Sequence, residues 1–510
     1  MANVSHWATI EPFLRPENTP QWVDGEDRTR VASYDAYESI YWTAPKAYQI
    51  QLRGENNQPI YIPSGRKIVN TAHRYLAPGF NVTTDPNFGS PAEQADAQLW
   101  LTEFMRRERF LSKFSANKLE GLTKGDWLFH IFADEERAEG SRVSIFPLDP
   151  ATYFPEYEGG DQVDSVIAVH LVQSFQDGNE PAVLKLKYTK VTETGGPSQI
   201  QVDQTVHPID EWGQPQTDMA LTTVRSLDSF VLPDVVDAIP VYHIPNTYDP
   251  SFGWGSSEMR GVEILMRAIS QGATDEDLTL VLEGLGLYVT TAGAPINEDT
   301  DEVMPWNLGP ARVVEIPDGK DFKRVNGAGS ITPYQDHLSF LIGELEDATN
   351  TDAVSRGRVD VTVAESGIAL ALRLAPLFAS MQEKERVITD VVTQMMYDLR
   401  KWFMGFEAPL GGLEEIRWVP TYGDRMPVNK KQVFDQVMTM ITATPVPVIS
   451  TAEGRRLLKN IGWEFSPDET LNNEILAEQS AVAGATADAV AARVGGDVAT
   501  LTDDGGVDEG

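Results

Sequence analysis

Two helical patterns separated by a β segment broken by proline and glycine set the tightest limit on how this chain can fold. The first, GWGSSEMRGVEILMRAISQGATDEDLTLVLEGLG, places Val262, Leu265, Met266 and Ile269 on one stripe, with Ser256 or Ser257 positioned to cap it. After Gly272 the pattern resumes with Leu278, Val281, Leu282 and Leu285. Read as one helix of roughly thirty residues, it would run about 40 Å, long for a globular core. From Leu287 to Ser330 the chain turns to short strands, LYVTT, ARVVEIP and FKRV, interrupted by Pro295, Pro305, Gly309, Pro310, Pro317 and Gly319. The second helix starts sharply: Thr332 as cap, Pro333 at the first helical position, and Leu338, Leu341, Ile342 and Leu345 as its stripe. Its other face carries Asp336, Phe340, Gly343 and Asp347, which suits a helix touched by protein as well as by water.

The preceding half of the chain reads as α+β. GEDRTRVASYDAYESIYW is a helix, AYQIQLR and QPIYIP an alternating hairpin, and SGRKIVNTAHRYLAPGF a helix stopped by Pro78 and Gly79. Residues 91–120 form a helical pattern containing Leu99, Phe104, Phe110, Leu111 and Phe114; its Arg106, Arg107 and Arg109 fit a solvated helix face better than a phosphate site. Residues 125–245 are mostly β, led by DWLFHIF, which has the look of a strand buried on both faces, and RVSIFPL after an acidic turn. SVIAVHLVQSF, AVLKLKYTKVTET and IQVDQTV follow as strands, and AIPVYHIPN closes the region.

Beyond the second helix, Ser366 can cap a long helix kinked by Pro376, with Ile388, Val391, Val392, Met395, Leu399 and Trp402 as its apolar stripe. EEIRWVPTYGDRMPVNK is a strand and turn, and KQVFDQVMTMITA and STAEGRRLLKNIGW are helices. From Glu464 onward the composition drifts to alanine, glycine and acid, and the last stretch is too poor in apolar residues to fold alone.

At 510 residues the chain should hold two or more packed units, given about 150 residues per domain. It has no cysteine, which removes disulfides, thiolate metal sites and cysteine nucleophiles. No leader-like start and no membrane-length apolar run is visible, so a soluble protein, neither secreted nor anchored, is expected. Asp and Glu number 76 against 41 Lys and Arg, a net charge of −35 that repels nucleic acid except where positive groups are focused. No basic run of the kind that supplies tight phosphate binding is present.

The motifs that mark enzymes are absent: no phosphate-binding glycine loop with Gly-Lys-Ser/Thr, no HExxH, no GxSxG and no EF-hand loop. His6, His73, His130, His170, His207, His243 and His337 are scattered without ligand spacing and are better read as structural imidazoles than as metal ligands. Acidic pairs such as Glu135 with Glu136 and Glu414 with Glu415 arise by chance in so acidic a chain. No catalytic residue, metal site or cofactor is therefore expected.

The order of these segments resembles the portal proteins of tailed bacteriophages, the head-to-tail connectors, and in particular the siphophage-like portal family. The resemblance rests on LEGLTKGDWLFHIFAD with SRVSIFPLDPATYFP, IPVYHIPN leading to GWGSSEMRGVEILMRAIS, the β insert, and ESGIALALRLAPL, and spans roughly residues 22–465. It implies an α+β portal fold: an α/β wing over 1–255, a first stem helix over 256–286, a clip over 287–330 and a second stem helix over 331–350. A tunnel loop over 351–366 would follow, then the long kinked helix with the rest of the wing over 367–464 and a short crown and acidic tail over 465–510.

The implied function is non-enzymatic: a homo-oligomeric ring, expected to be a dodecamer, at one capsid vertex, through which double-stranded DNA passes on packaging and ejection without sequence specificity. The implied partners are terminase, the major capsid or scaffold protein and a head-completion or adaptor protein, with no membrane; the implied location is the virion, and the host cytoplasm during assembly. Arg356 and Arg358 of the tunnel loop would face the DNA, or pair with Glu344, Asp347 or Asp352. Asp336, Glu344 and Asp347 would form an acidic stem face, and Leu338, Leu341, Ile342 and Leu345 the stem packing. An acidic hydrolase with an unrecognised carboxylate site and a different structural virion protein are the alternatives.

Overall fold

Val31, Tyr34, Ile40 and Tyr41 are buried on the first described helix, α1 (Gly25–Tyr41), and a single turn, α2 (Pro45–Tyr48), follows it. The computed structural model describes residues 25–53, 58–158, 165–177, 180–192, 198–208, 225–227, 229–248, 253–285, 287–296, 302–304, 316, 318–325, 331–351, 355, 367–407, 416–425, 430–442, 454, 457 and 458. The chain forms two compact units, Met1–Gly423 and Asp424–Gly510, and its fold is α+β, with several small sheets among helices.

In the larger unit α3 (Ser64–Tyr75) stops ahead of Pro78, and β1 (Asn81–Thr84) leads to α4 (Pro91–Glu108). Ser90 and Glu93 cap α4 reciprocally: the serine hydroxyl accepts from the Glu93 N–H, and the Glu93 carboxylate accepts from the Ser90 N–H. The pattern over 91–120 is two helices rather than one. Arg109, at a φ of 51°, breaks it, and α5 (Phe110–Lys124) begins anew. The break resets the helical phase, so Phe110 and Phe114 join Phe104 in the core while Leu111 is exposed; Leu99, on another face of α4 from Phe104, is exposed as well.

The strand β2 (Asp126–Ala133) is buried from Asp126 through Ile131, with helices packed against it, and it is central in its sheet, between β3 (Val143–Leu148) and a later strand from the end of the β region. Five antiparallel strands, β4 (Tyr153–Tyr157), β5 (Val166–Asp177), β6 (Glu180–Thr192), β7 (Ser198–Pro208) and β8 (Arg225–Ser226), pair in chain order, and β9 (Phe230–Val231) also pairs with β7. The returning strand β10 (Val241–Pro245) closes on β2, with Val241 opposite His130 and Pro245 opposite Asp126.

Next come α6 (Glu263–Leu285), the two-stranded ribbon of β11 (Leu287–Thr290) and β12 (Phe322–Val325), and α7 (Thr332–Ala348). The predicted middle strand ARVVEIP lies outside the described residues except for Ile316. The 40-residue α8 (Gly367–Phe406) runs through Pro376 as one element, and buries Ile388, Val392, Met395, Leu399 and Trp402 of the predicted stripe. It packs near β13 (Trp418–Thr421), which pairs with β1; there Trp100, Phe104, Phe403 and Trp418 form a cluster of rings. The smaller unit contains α9 (Lys430–Thr442). The helix expected from STAEGRRLLKNIGW and the crown expected over 465–510 lie outside the described residues, apart from helical Gly454, Leu457 and Leu458.

The hairpin expected from AYQIQLR and QPIYIP does not form among the described residues. The backbone there is partnered by side chains of α6 instead. Arg267 Nε donates to the Ala47 carbonyl at 2.8 Å, and Ser270 Oγ and Thr274 Oγ1 accept from the Ile62 and Ile60 N–H groups at 3.1 and 3.0 Å. Gln271 both accepts from Gln51 N–H at 2.8 Å and donates to its carbonyl at 3.0 Å. Residues 267, 270, 271 and 274 share one helix face, so the segment lies along α6 as a strap whose polar groups are met without a strand partner.

His130, in the middle of β2, bonds the Tyr188 hydroxyl at 2.9 Å, and burial lowers its pKa to about 4. An unfolded histidine titrates near 6.5, so below that pH the unfolded chain takes up a proton that the fold refuses. The stability this residue supports is complete above about pH 6.5 and is lost as the pH falls toward about 4, by about 3 kcal/mol. Urea unfolding between pH 7 and 4.5 should show that decline, and His130→Gln should make it shallower without removing it, because burial also lowers His170 and His207 to about 4.

Candidate functional site

The helical pair α6 and α7 with its ribbon is held to the rest of the larger unit at a buried crossing just before α6. The Asp126 carboxylate, fully buried at 0 % exposure, accepts from the Tyr34 hydroxyl at 2.5 Å, from His243 Nε2 at 2.7 Å and from the Gly255 N–H at 2.7 Å. Burial pushes this carboxyl up, but the His243, Tyr34 and Gly255 bonds outweigh it and hold the pKa below the usual aspartate value. The Asn246 N–H donates to the Gly125 carbonyl at 2.7 Å, and the Glu258 N–H to the Leu122 carbonyl at 3.0 Å. Ser257 Oγ donates to the Thr123 carbonyl at 2.6 Å, and Glu258 pairs with Lys384 of α8.

At this crossing two backbones touch. A Cβ on Gly255 would stand 2.0 Å from the Gly125 carbonyl oxygen and 2.6 Å from the Asn246 nitrogen, and Gly125 itself has a φ of 109°. Gly255 through Val262 therefore belong to this knot and not to the helix, which begins at Glu263. Ser256 and Ser257 do not cap it, contrary to the sequence expectation; Ser257 instead ties the segment to the end of α5.

From there α6 buries Met266, Ile269, Ser270 and Thr274, with Leu265 half-buried against the core. α7 lies against α6, Leu338 Cδ1 standing 3.4 Å from where a Gly272 Cβ would be. Leu345 is buried, and Leu338, Leu341 and Ile342 are half-buried against the same core. Among the described residues, other apolar side chains of the pair and ribbon are exposed: Ile264, Leu280 and Val281 on α6, Val289 on β11, Phe340 at 60 % exposure on α7, and Val303 at 72 % beside the ribbon. Val281, expected from the sequence to continue the stripe of α6, is among these exposed residues.

Charge accumulates on the same elements. α6 holds five acids and one arginine, and α7 four acids with no lysine or arginine. Asp336, Glu344 and Asp347 are all exposed, and among the described residues no ion pair holds them.

After α7 the chain makes a left-handed residue at Asn350, with φ 52°, and buries Thr351. Ser355 is buried as well, and its carbonyl accepts from the Tyr75 hydroxyl at 3.3 Å, Tyr75 being packed on Phe378 of α8. This bond holds Ser355 against Tyr75 at the end of α3. Arg356, Arg358 and Asp352 lie outside the described residues.

Sequence reasoning missed the crossing altogether. Its signals were two glycines in GDW and GWGSS, each readable as an ordinary turn, and one aspartate opening a hydrophobic strand. Of the scattered histidines, His243 bonds Asp126, His170 bonds Glu156 and His73 bonds the Ser115 carbonyl. Among the described residues no three His, Asp or Glu side chains are grouped to hold a metal ion, and no helix is long and apolar enough to cross a membrane.

No family model and no curated protein matches this chain. Among solved structures it is similar to the neck of a native GTA particle computed with C12 symmetry, at a TM-score of 0.44 and 12% identity over 91% of this chain and 100% of that one. It is also similar to the neck of an empty GTA particle computed with C6 symmetry, at a TM-score of 0.45 and 14% identity over 78% of this chain and 90% of that one.

Proposed function

We propose that this chain is the subunit of a homo-oligomeric portal ring of a phage-like particle, a non-enzymatic conduit for double-stranded DNA at the junction of head and tail. The observation that carries the reading is the uncovered apolar surface on α6, α7 and the ribbon: Leu280, Val281, Val289, Phe340 and Val303. A chain this acidic gains nothing by showing them to water, and several large apolar side chains left exposed on neighbouring elements are what a protein contact would cover. In a ring each subunit meets its neighbour through two different patches, so both sides of a helical pair are covered when the rotation closes.

The order of segments in the sequence supports the same reading, as does the acidity of α6 and α7: repeated around a ring, it makes a wall that repels phosphate and lets DNA slide. Terminase, the capsid or scaffold and a head-completion protein are the partners such a ring requires. Arg356 and Arg358 supply a sparse backbone contact in an otherwise repulsive passage. Reversing both to glutamate should reduce DNA packaged or retained per particle while ring mass by light scattering stays unchanged. Normal DNA content in particles built from the double variant would remove these arginines from the DNA-facing role.

A further inference from the structure

A cavity of about 520 Å³ opens between α8, β4 and β10, away from the helical pair. Its helical wall is one stripe of α8, Val387, Asp390, Val391 and Gln394, and aromatic side chains of β4 and β10, Tyr153, Tyr157 and Tyr242, face it. Several of the polar groups around it are already engaged. The Tyr242 hydroxyl donates to Asp398 at 3.1 Å, His243 Nε2 is bonded to Asp126 at 2.7 Å, and Gln394 Nε2 donates to Asp398 at 2.9 Å. What remains toward the cavity on α8 is acceptors: the Gln394 carbonyl oxygen and the Asp390 carboxylate, which among the described residues has no hydrogen bond or ion pair.

We infer that this cavity receives an arginine side chain from a basic segment of a separate protein. Aromatic walls attract a cation through their ring faces, and a planar guanidinium stacks on tyrosine while its N–H groups meet acceptors. The methylenes of arginine fit against Val387 and Val391, and its charge answers Asp390, the one carboxylate among the lining residues. The donor is a separate basic protein because the contact between copies proposed above runs through α6, α7 and the ribbon, none of whose residues lines this cavity, and because a chain with 76 acids against 41 basic residues draws a basic partner in.

The test is saturation-transfer NMR on the full-length protein with acetyl-arginine amide, against acetyl-citrulline amide as its neutral isostere. The arginine probe should bind about fivefold more tightly than the citrulline probe, combining ring and ion-pair contributions. Asp390→Asn should abolish that preference with the far-ultraviolet circular dichroism unchanged, while Asp336→Asn, removing an acid elsewhere, should leave it intact. Equal binding of the two probes, no binding of the arginine probe, or a preference that survives Asp390→Asn would each overturn the proposal. A fall in assembly mass on Asp390→Asn would overturn it too, by making the occupant a second copy.

Discussion

Gly255→Ala is expected to destabilise the larger unit by about 3 kcal/mol or more, because the added carbon has nowhere to go. It would meet the Gly125 carbonyl oxygen at 2.0 Å and the Asn246 nitrogen at 2.6 Å, both backbone atoms bonded to each other across the crossing. Relief requires parting the end of α5 from the end of β10, which also pulls the Gly255 N–H from the buried Asp126 carboxylate. That carboxylate then keeps two donors in place of three, at a site with no access to water. Gly261→Ala is the matched control: its φ of 87° is left-handed, but nothing stands within 4 Å of the new carbon. It should cost about 1 kcal/mol. Urea midpoints of the two variants, taken with the wild type, measure the difference; equal losses would mean that the crossing is not close-packed.

Replacing Phe340 and Val281 together with aspartate is expected to yield a folded single subunit. Both side chains are exposed in the lone chain, where such changes alter stability by about 0.5 kcal/mol or less. Buried against a neighbour, each aspartate would place an unpaired charge in an apolar contact, at several kcal/mol, repeated at every interface of a ring. Light scattering should fall to the mass of one chain while circular dichroism is retained. Leu341 and Leu345, natural targets from the sequence alone, pack within the chain, so Leu345→Asp should damage the helical pair itself and lower the thermal midpoint. An assembly mass unchanged by the Phe340 and Val281 double variant would show that these faces are not the contact between subunits.

The parts of the fold legible in the sequence are those whose cause is local. Pro333 marks the first turn of α7, although the cap is Ile331 and the helix opens at Thr332, one residue earlier than expected; Pro78 and Gly79 end α3, and the unbroken apolar run of β2 announces a strand buried on both faces. The parts that were not legible depend on contacts distant in the chain. QIQLR and QPIYIP alternate like strands, yet their backbone groups are taken by Ser270, Gln271 and Thr274, more than two hundred residues on. A period of two shows which side chains share a face, not what meets the backbone. Arg109 breaks a helix without glycine or proline, and no periodicity could place that break.

The candidate surface divides in the same way. The buried stripe of α7 could be read from spacing, because Leu338, Leu341, Ile342 and Leu345 recur every three or four residues. That Val281 stands in solvent while Met266 and Ile269 are buried could not be read, since all three share one pattern. Only the positions of the strap and of α7 decide where the cover ends.

Electron micrographs of the purified full-length protein in negative stain bear most directly on the proposal that many copies close into a ring. End-on views should show annuli of uniform diameter with a stain-filled centre and a fixed number of subunits. A field of single compact particles without a central hole, at concentrations where the protein is folded, would contradict it.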